Sequence, residues 1–419
     1  FFKILIYFHI FLIFLIIGQN WKFLKSCCAM GFFDLPRIIH VIGSGLSGLS
    51  SAVHLSNAGA TVFLYDAASY AGGRCRSYFD SRLGQRIDNG NHLVLTGNEC
   101  VGDYLKIIDS VNSMWVPPHA KYKFSDLYTG ENWSVNLENA RIPWSLLRSS
   151  KRVPDSSIWE YIRGIKLAWA GEKTVAQCLD GKGSLFLKFW KPFAVSVLNT
   201  EAELASGALL WPVLKQTFGR GGSACRPMIS KHGLSETFVD PALRFVKDNG
   251  GKIKLGERLK SLVFCEDKLT QLCFSNGNTI VKEGEGVILA LPSGVAKSVV
   301  PGLSTPTEFR PIINGHFNIP KNYNNPYIVG LCGGVCHWVF VRGSIASVTI
   351  SAANAYIDMS AEEIAKLMWP EICNVLNLGG IDIRAYRILK EKRATFAQTP
   401  VQLALRPKPQ TKWPNLVLA

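Results

Sequence analysis

The sequence contains no Cys-x-x-Cys pair, no internal repeat, no low-complexity tract and no long block of like charge. Its eleven cysteines are odd in number and unframed, which argues against a disulfide scaffold or a zinc ribbon and fits a reducing cytoplasm. The remaining absences remove solenoids and disordered charged tails. There is also no Ser-His-Asp order, metal-ligand set or paired carboxylates complete enough to define a hydrolase or a metalloenzyme, and no metal is expected. Cys332, Cys336 and His337 come nearest, but they stand in an apolar, glycine-rich run that reads as core strand.

What is present is a chain of 419 residues, 47% hydrophobic, long enough for two domains with substantial cores. The net charge is +15, from 46 basic and 31 acidic residues. The basic residues are scattered among apolar ones, a pattern that favours peripheral contact with the inner face of the cytoplasmic membrane over nucleic acid; an ordinary solvated surface fits equally well. Near the start, Ile4 to Ile17 is almost wholly apolar, with Lys3 before it and Lys22 and Lys25 behind. That run is short for a membrane span, and no small-x-small cleavage site follows. The chain opens on Phe1, and Met30 stands just before "GFFDLPRIIHVIG". Residues 1–29 are therefore expected to be an upstream or leader segment, with a membrane anchor as the alternative.

From Ile38 to Ile42 a short β-branched run reads as a buried strand; Gly43, Gly45, Leu46, Ser47 and Gly48 follow, then a helical pattern through Leu49, Val53 and Leu55. The first glycine allows a tight turn, the second lets backbone approach a pyrophosphate, and the third lets helix pack on strand. The helix N-terminus faces the negative charge. A second strand, Thr61 to Tyr65, ends at Asp66, whose carboxylate can accept both hydroxyls of an adenosine ribose.

A glycine motif does not separate a diffusing nicotinamide from a resident flavin. Gly72, Gly73, Arg74 and Arg76 follow closely, then Asp88-Asn89-Gly90-Asn91-His92. A second flexible segment carrying guanidinium groups suits a dinucleotide that stays bound, because arginines hold phosphates bidentately. A solvated basic loop is the structural alternative.

These motifs resemble the two-domain FAD proteins that include amine oxidases, phytoene desaturases and GDP dissociation inhibitors. "GGRCRSYFD", "RIDNGNHL", "FGRGGSACRP", "GLSETFVDPAL" and "YRILKEKRATFAQTP" narrow the resemblance to the hydroxysqualene dehydroxylase family, over nearly all of Pro36 to Ala419. The resemblance implies an α/β fold of the amine-oxidase and phytoene-desaturase type, with a discontinuous Rossmann-like FAD-binding domain and a mixed α+β substrate domain. The FAD-binding parts are expected at 36–95, 226–292 and 415–419, with substrate-domain parts at 96–225 and 293–414. It also implies FAD as cofactor, held by Gly43, Gly45, Leu46, Ser47, Gly48, Asp66, Gly72, Gly73, Arg74, Arg76, Asn89 and Gly90. In the family the last strand runs on into a turn and helix near the flavin, so a chain stopping at Ala419 is expected to be a fragment.

Within this frame, "GGKIKLGERLKSLVFCEDKLTQLCFSNGNTI" reads as strands with a hairpin turn at Asn276-Gly277. The first insertion is rich in Trp115, Trp133, Trp144, Trp159, Trp169, Phe186, Phe189, Trp190, Phe193 and Trp211. Most are expected in a helical core, and a subset lining a tunnel or a membrane-facing mouth. A helix capped by Ser235 should follow the "FGRGGSACRP" loop.

The family reaction replaces an allylic C–OH of hydroxysqualene, a long isoprenoid, with C–H to give squalene; the electron donor cannot be read from the sequence. A carotenoid-type desaturase, an amine oxidase and a non-catalytic prenyl-lipid-binding protein share the fold and stay open at this point. The leaving hydroxyl needs a proton, and His92 is the expected donor, its pKa held near neutrality by a neighbouring carboxylate. A loop-fixing histidine is the alternative. Arg220 is expected near substrate or flavin, and Lys392 near the flavin N1, where a cation stabilises the anionic reduced form.

Overall fold

The computed structural model describes residues 37–140 and 144–419. The expectations for residues 1–29 and for the Trp144 side chain lie outside the described residues. Strand β1 (Ile38–Ile42) is apolar and buried from Ile39 onward, as a strand covered on both faces must be. It leads through Gly43 into helix α1 (Leu46–Asn57), in which every residue but Asn57 is buried, and then to β2 (Thr61–Asp66). All pairings in this sheet are parallel, in the order Lys252–Leu255, β2, β1, Gly286–Leu289 and Leu416–Leu418. Leu49 and Val53 of α1 join Ala242 and Val246 of helix Asp240–Asp248 in one apolar core.

An antiparallel meander, Leu259–Cys265, Lys268–Phe274 and Gly277–Ile280, packs beside that sheet. Its second turn is Ser275-Asn276, one residue before the expected position. Phe274 pairs with Gly277, so Gly277 opens the returning strand, and its φ of 144° is one that only glycine adopts without strain.

The larger antiparallel sheet is organised by one 24-residue strand, Phe309–Cys332. Its neighbours are Trp338–Ile350, Tyr386–Phe396 and Ala120–Asp126, the last running parallel to it and continuing to Asn132–Leu137. Helix Ala361–Leu376 starts at a Ser360/Glu363 capping box and buries Ile364, Met368 and Ile372 against this sheet.

The helical layer between residues 144 and 220 takes up only part of the aromatic set. Phe186, Phe189 and Trp190 are buried, and Phe189 stacks on Phe193 at 5.6 Å and meets Phe218 edge-on at 5.8 Å. Trp115, Trp133 and Trp211 are half-buried. Trp159 and Trp169 instead face solvent, 68% and 75% exposed. The expected cap is corrected as well. Ser235 lies inside a helical turn, where its hydroxyl accepts from the Ser77 amide at 2.7 Å while its own amide donates to the Ser77 hydroxyl at 3.0 Å. It ties the Gly72–Ser77 loop to the 227–240 segment instead of capping the helix.

Candidate active site

The turn from β1 into α1 is built on two close backbone approaches. A Cβ at Gly43 would stand 2.3 Å from the Ala290 carbonyl oxygen, and one at Gly48 only 1.7 Å from that of Gly43. Gly45 differs, because a Cβ there meets nothing within 4 Å. The first turn of α1 has no side-chain cap and no acidic residue, and the buried Ser47 hydroxyl has no partner. Uncapped amides, an orphaned hydroxyl and open space at the one unobstructed glycine of the motif fit a pyrophosphate. Leu46 is buried in the core and anchors the turn.

Gly72 donates to the Ser44 carbonyl at 2.8 Å, and a Cβ on Gly73 would lie 3.3 Å from the Gly45 Cα, so the second glycine pair lies beside the first. Asp66 is more committed than the sequence implied. Its Oδ2 accepts the Ser44 amide at 2.6 Å and hydroxyl at 2.7 Å, and Oδ1 accepts the Ala68 amide at 2.8 Å. Capacity for one ribose hydroxyl is left on Oδ1, not for two on equal terms.

Both arginine side chains are engaged within the protein. Arg74 donates to the carbonyl of Ala394, with a longer bond of 3.4 Å to that of Arg393. The Arg76 guanidinium lies 4.3 Å above the Tyr70 ring and 5.4 Å from that of Tyr78. Both interactions brace the loop, while the amides in the first turn of α1 have no side-chain cap.

The Arg76 carbonyl accepts the Asn89 amide at 2.8 Å, which carries the chain from this loop into the Asp88–His92 segment. Under Gly90 a polar cluster supports it: Asn91 donates to Thr349 at 3.0 Å, and Thr349 to Asn314 at 3.0 Å. A Cβ on Gly90 would press to 3.3 Å from the Asn314 amide. Beyond it opens a cavity of about 260 Å³ whose wall includes Asp88, His92, His232, Tyr327, Phe340 and Arg342. Both ring nitrogens of His92 are buried with no side-chain partner among the described residues, and the Arg74 backbone approaches them as a hydrogen-bond acceptor. Burial lowers its pKa to about 4, against the opposing pull of the Asp88 carboxylate and the Arg74 backbone. The expected near-neutral value is not found, because desolvation outweighs the pull of the Asp88 carboxylate, which itself pairs with Arg342 at 2.9 Å.

Lys392 is exposed, on a bulge of Tyr386–Phe396 that begins after Glu391 pairs with Ile312 and ends where Thr395 pairs with Arg310. Arg74 binds the carbonyls of Arg393 and Ala394 on this bulge, next in sequence to Lys392. Arg220 is not brought there. It pairs with Glu99 at 2.8 Å, both exposed, and lines a separate depression with Thr96, Gly97 and Ser223. Cys336 is buried, and His337 accepts the Ser351 amide at 3.0 Å. Among the described residues no group of three potential metal ligands occurs.

Sequence reasoning missed Asn314, Thr349, Arg342 and Gln398. The first three are polar residues on the two longest strands, where nothing local sets them apart from their polar neighbours. Gln398 is 1% exposed, and neither its amide oxygen nor its nitrogen is paired. Nothing local marks it.

Residues 41–108 match the NAD(P)-binding Rossmann-like domain, and residues 176–322 match the flavin containing amine oxidoreductase family. Hydroxysqualene dehydroxylase of Sinorhizobium fredii is 38% identical over 386 residues, covering 92% of each chain. That of Rhodopseudomonas palustris is 38% identical over 388 residues, again 92% of each. An oxidoreductase from Methanosarcina mazei shares the fold, with a TM-score of 0.65 at 15% identity over 91% of this chain and 94% of that one. With a glycine cradle suited to a dinucleotide and a match that runs nearly end to end, the chain belongs to the hydroxysqualene dehydroxylase family of FAD-dependent oxidoreductases.

Proposed function

We propose that this chain reductively removes the allylic hydroxyl of hydroxysqualene to give squalene. The observation that carries the reading is the continuity of cradle and cavity. One segment bonds to the glycine-arginine loop through Asn89 and presents His92 to the cavity wall three residues later.

The chemistry that FAD supplies when bound is hydride donation to the allylic carbon; the hydroxyl departs as water once protonated. The amides of α1, Ser47 and Asp66 hold the dinucleotide. The remaining work falls to the cavity. Neutral His92 hydrogen-bonds the leaving oxygen and orients it, since an imidazolium is scarce at neutral pH when the pKa is about 4. The proton is drawn from bulk solvent by a water relay along the wall that carries the Asp88–Arg342 pair, so that no hydroxide is left in the cavity. Ile229, Phe340 and Ile345 keep bulk water from the carbinol carbon as the C–O bond breaks. A cavity of about 260 Å³ is small for a whole C30 chain, so it takes the carbinol region while the tails run outward.

In this reading residues 36–95, 226–292 and 415–419 form the FAD-binding domain, and 96–225 and 293–414 the substrate domain. The substrate partitions into lipid, so the protein works as a peripheral membrane enzyme. The test is anaerobic incubation of the protein with reduced flavin and detergent-dispersed hydroxysqualene, followed by lipid analysis. Squalene is expected. Unchanged substrate overturns the proposal, and a desaturated product assigns the chain to desaturation instead.

A further inference from the structure

Helix Ile158–Arg163 continues as the tighter turn Gly164–Trp169. Along it Trp159, Ile162, Ile165 and Trp169 are 68%, 51%, 54% and 75% exposed, while Gly164 and Leu167 are buried. Their spacing of three, three and four residues keeps them on one side. Two more exposed apolar side chains stand on adjoining segments: Leu147 at 65% and Leu187 at 57% exposure.

Hydrogen bonds and packing fasten the three segments together. Arg152 donates to the carbonyls of Leu146 at 2.8 Å and Leu147 at 3.2 Å, and the next amide, of Val153, donates to the Tyr161 hydroxyl at 2.8 Å. The Leu185 amide donates to Glu160 at 3.3 Å, and the Trp190 ring lies 3.0 Å from where a Gly164 Cβ would stand. Isolated exposed leucines are ordinary on a protein surface. Six large apolar residues on adjoining segments, two of them tryptophans, are not.

The charge around this face is predominantly positive. Residues 144–191 hold nine lysines and arginines against four acids. Three of the acids are occupied: Asp180 by Arg163 and Lys166 at 3.3 and 3.5 Å, Asp155 by Lys188 at 3.1 Å, and Glu160 by the Ser157 amide at 2.7 Å as well as that of Leu185. Arg148, Lys151, Lys173 and Lys182 have no acidic partner among the described residues. A second copy of the chain would set this positive face against its like. An anionic bilayer complements it, with aromatic rings at headgroup level and cations on lipid phosphates. Among the described residues no helix is long and apolar enough to cross a membrane.

We propose that the face formed by Leu147, Trp159, Ile162, Ile165, Trp169 and Leu187 is the surface by which this protein docks on anionic lipid bilayers. The proposal rests on the reading that its substrate is a membrane-partitioned isoprenoid alcohol, and it assigns the docking to one element of the helical layer.

The test is co-sedimentation of the FAD-loaded full chain with phosphatidylglycerol and with phosphatidylcholine vesicles. The wild type should pellet with the former, and W159E/W169E should lower its partitioning about tenfold or more. Replacing Arg148, Lys151, Lys173 and Lys182 with glutamine should weaken binding to anionic vesicles and remove its salt dependence. Both variants should keep flavin content, melting temperature and turnover of detergent-dispersed substrate, and lose turnover of vesicle-borne substrate. Three outcomes overturn the proposal: a wild type that stays in the supernatant with phosphatidylglycerol, a tryptophan variant that pellets like wild type, and a vesicle-indifferent dimer that the tryptophan substitutions dissociate. Vesicle binding without squalene formation in detergent would refute the enzymatic reading and leave the docking surface standing.

Discussion

Arg342 donates to Oδ2 of Asp88 across 2.9 Å, joining a strand of the large sheet to the hairpin that leaves the glycine-arginine loop. The other Asp88 oxygen accepts the Ser77 hydroxyl at 2.6 Å and the Leu234 amide at 3.0 Å. Replacing Arg342 with methionine leaves this carboxylate without its cation in a half-enclosed wall. A loss of roughly 3 kcal/mol is expected in urea unfolding, and lysine should recover part of it. An unchanged unfolding midpoint in R342M would show that solvent already screens the pair.

Gly45 and Gly48 should separate cofactor binding from folding. Gly45→Val adds side-chain atoms where the protein itself offers nothing within 4 Å, so the apo protein should melt as wild type and fail to retain FAD. Gly48→Ala drives a Cβ to 1.7 Å from a backbone oxygen and should destabilise the apo protein itself. Differential scanning calorimetry with and without added FAD distinguishes the two effects.

Three histidines make stability fall with acid. His92, His316 and His337 each have a folded pKa lowered by burial to about 4 from 6.5. The unfolded chain takes up these protons first, so the stabilising contribution is complete above pH 6.5 and is lost as pH falls through 4. Each shift corresponds to about 3 kcal/mol at the acid end of that window. Melting temperatures between pH 7.5 and 4 should fall steeply, and His92→Gln should flatten the curve by about one third of the histidine share while FAD is retained. A flat profile in wild type would contradict the buried, neutral assignment.

In the proposed reaction His92 orients the leaving oxygen, so His92→Gln should lower kcat on the order of 10²-fold without shifting an acidic limb of the pH–rate profile. If that variant alone loses a pH-dependent limb between 6 and 7, His92 acts as the imidazolium and the water-relay assignment fails.

Lys392 stands on the bulge that Arg74 binds. If its ammonium faces the flavin N1, Lys392→Met should make the bound flavin harder to reduce, by about 30 mV or more, the two-electron equivalent of a tenfold change. Spectroelectrochemical titration of the two proteins checks this. Equal potentials would return Lys392 to the solvated strand edge.

The sequence by itself determined the β1–α1–β2 unit, its glycine turn and the acid ending the second strand. Each rests on local backbone preference and on side chains within some thirty residues of one another. It also carried the family, because "GGRCRSYFD" and "YRILKEKRATFAQTP" are readable as words. Tertiary structure alone decided what those words do. Arg74 meets the Ala394 carbonyl, 320 residues away, because a bulge lies within reach of its guanidinium. Burial against the large sheet moved the His92 pKa to about 4, a long-range desolvation that no neighbour in sequence announces. Trp159 and Trp169 have the helical spacing of core residues, and only the packing of Gly164 and Leu167 inward turned that aromatic face to the outside. Periodicity states that a helix has two faces; which one is buried depends on elements far away in the chain.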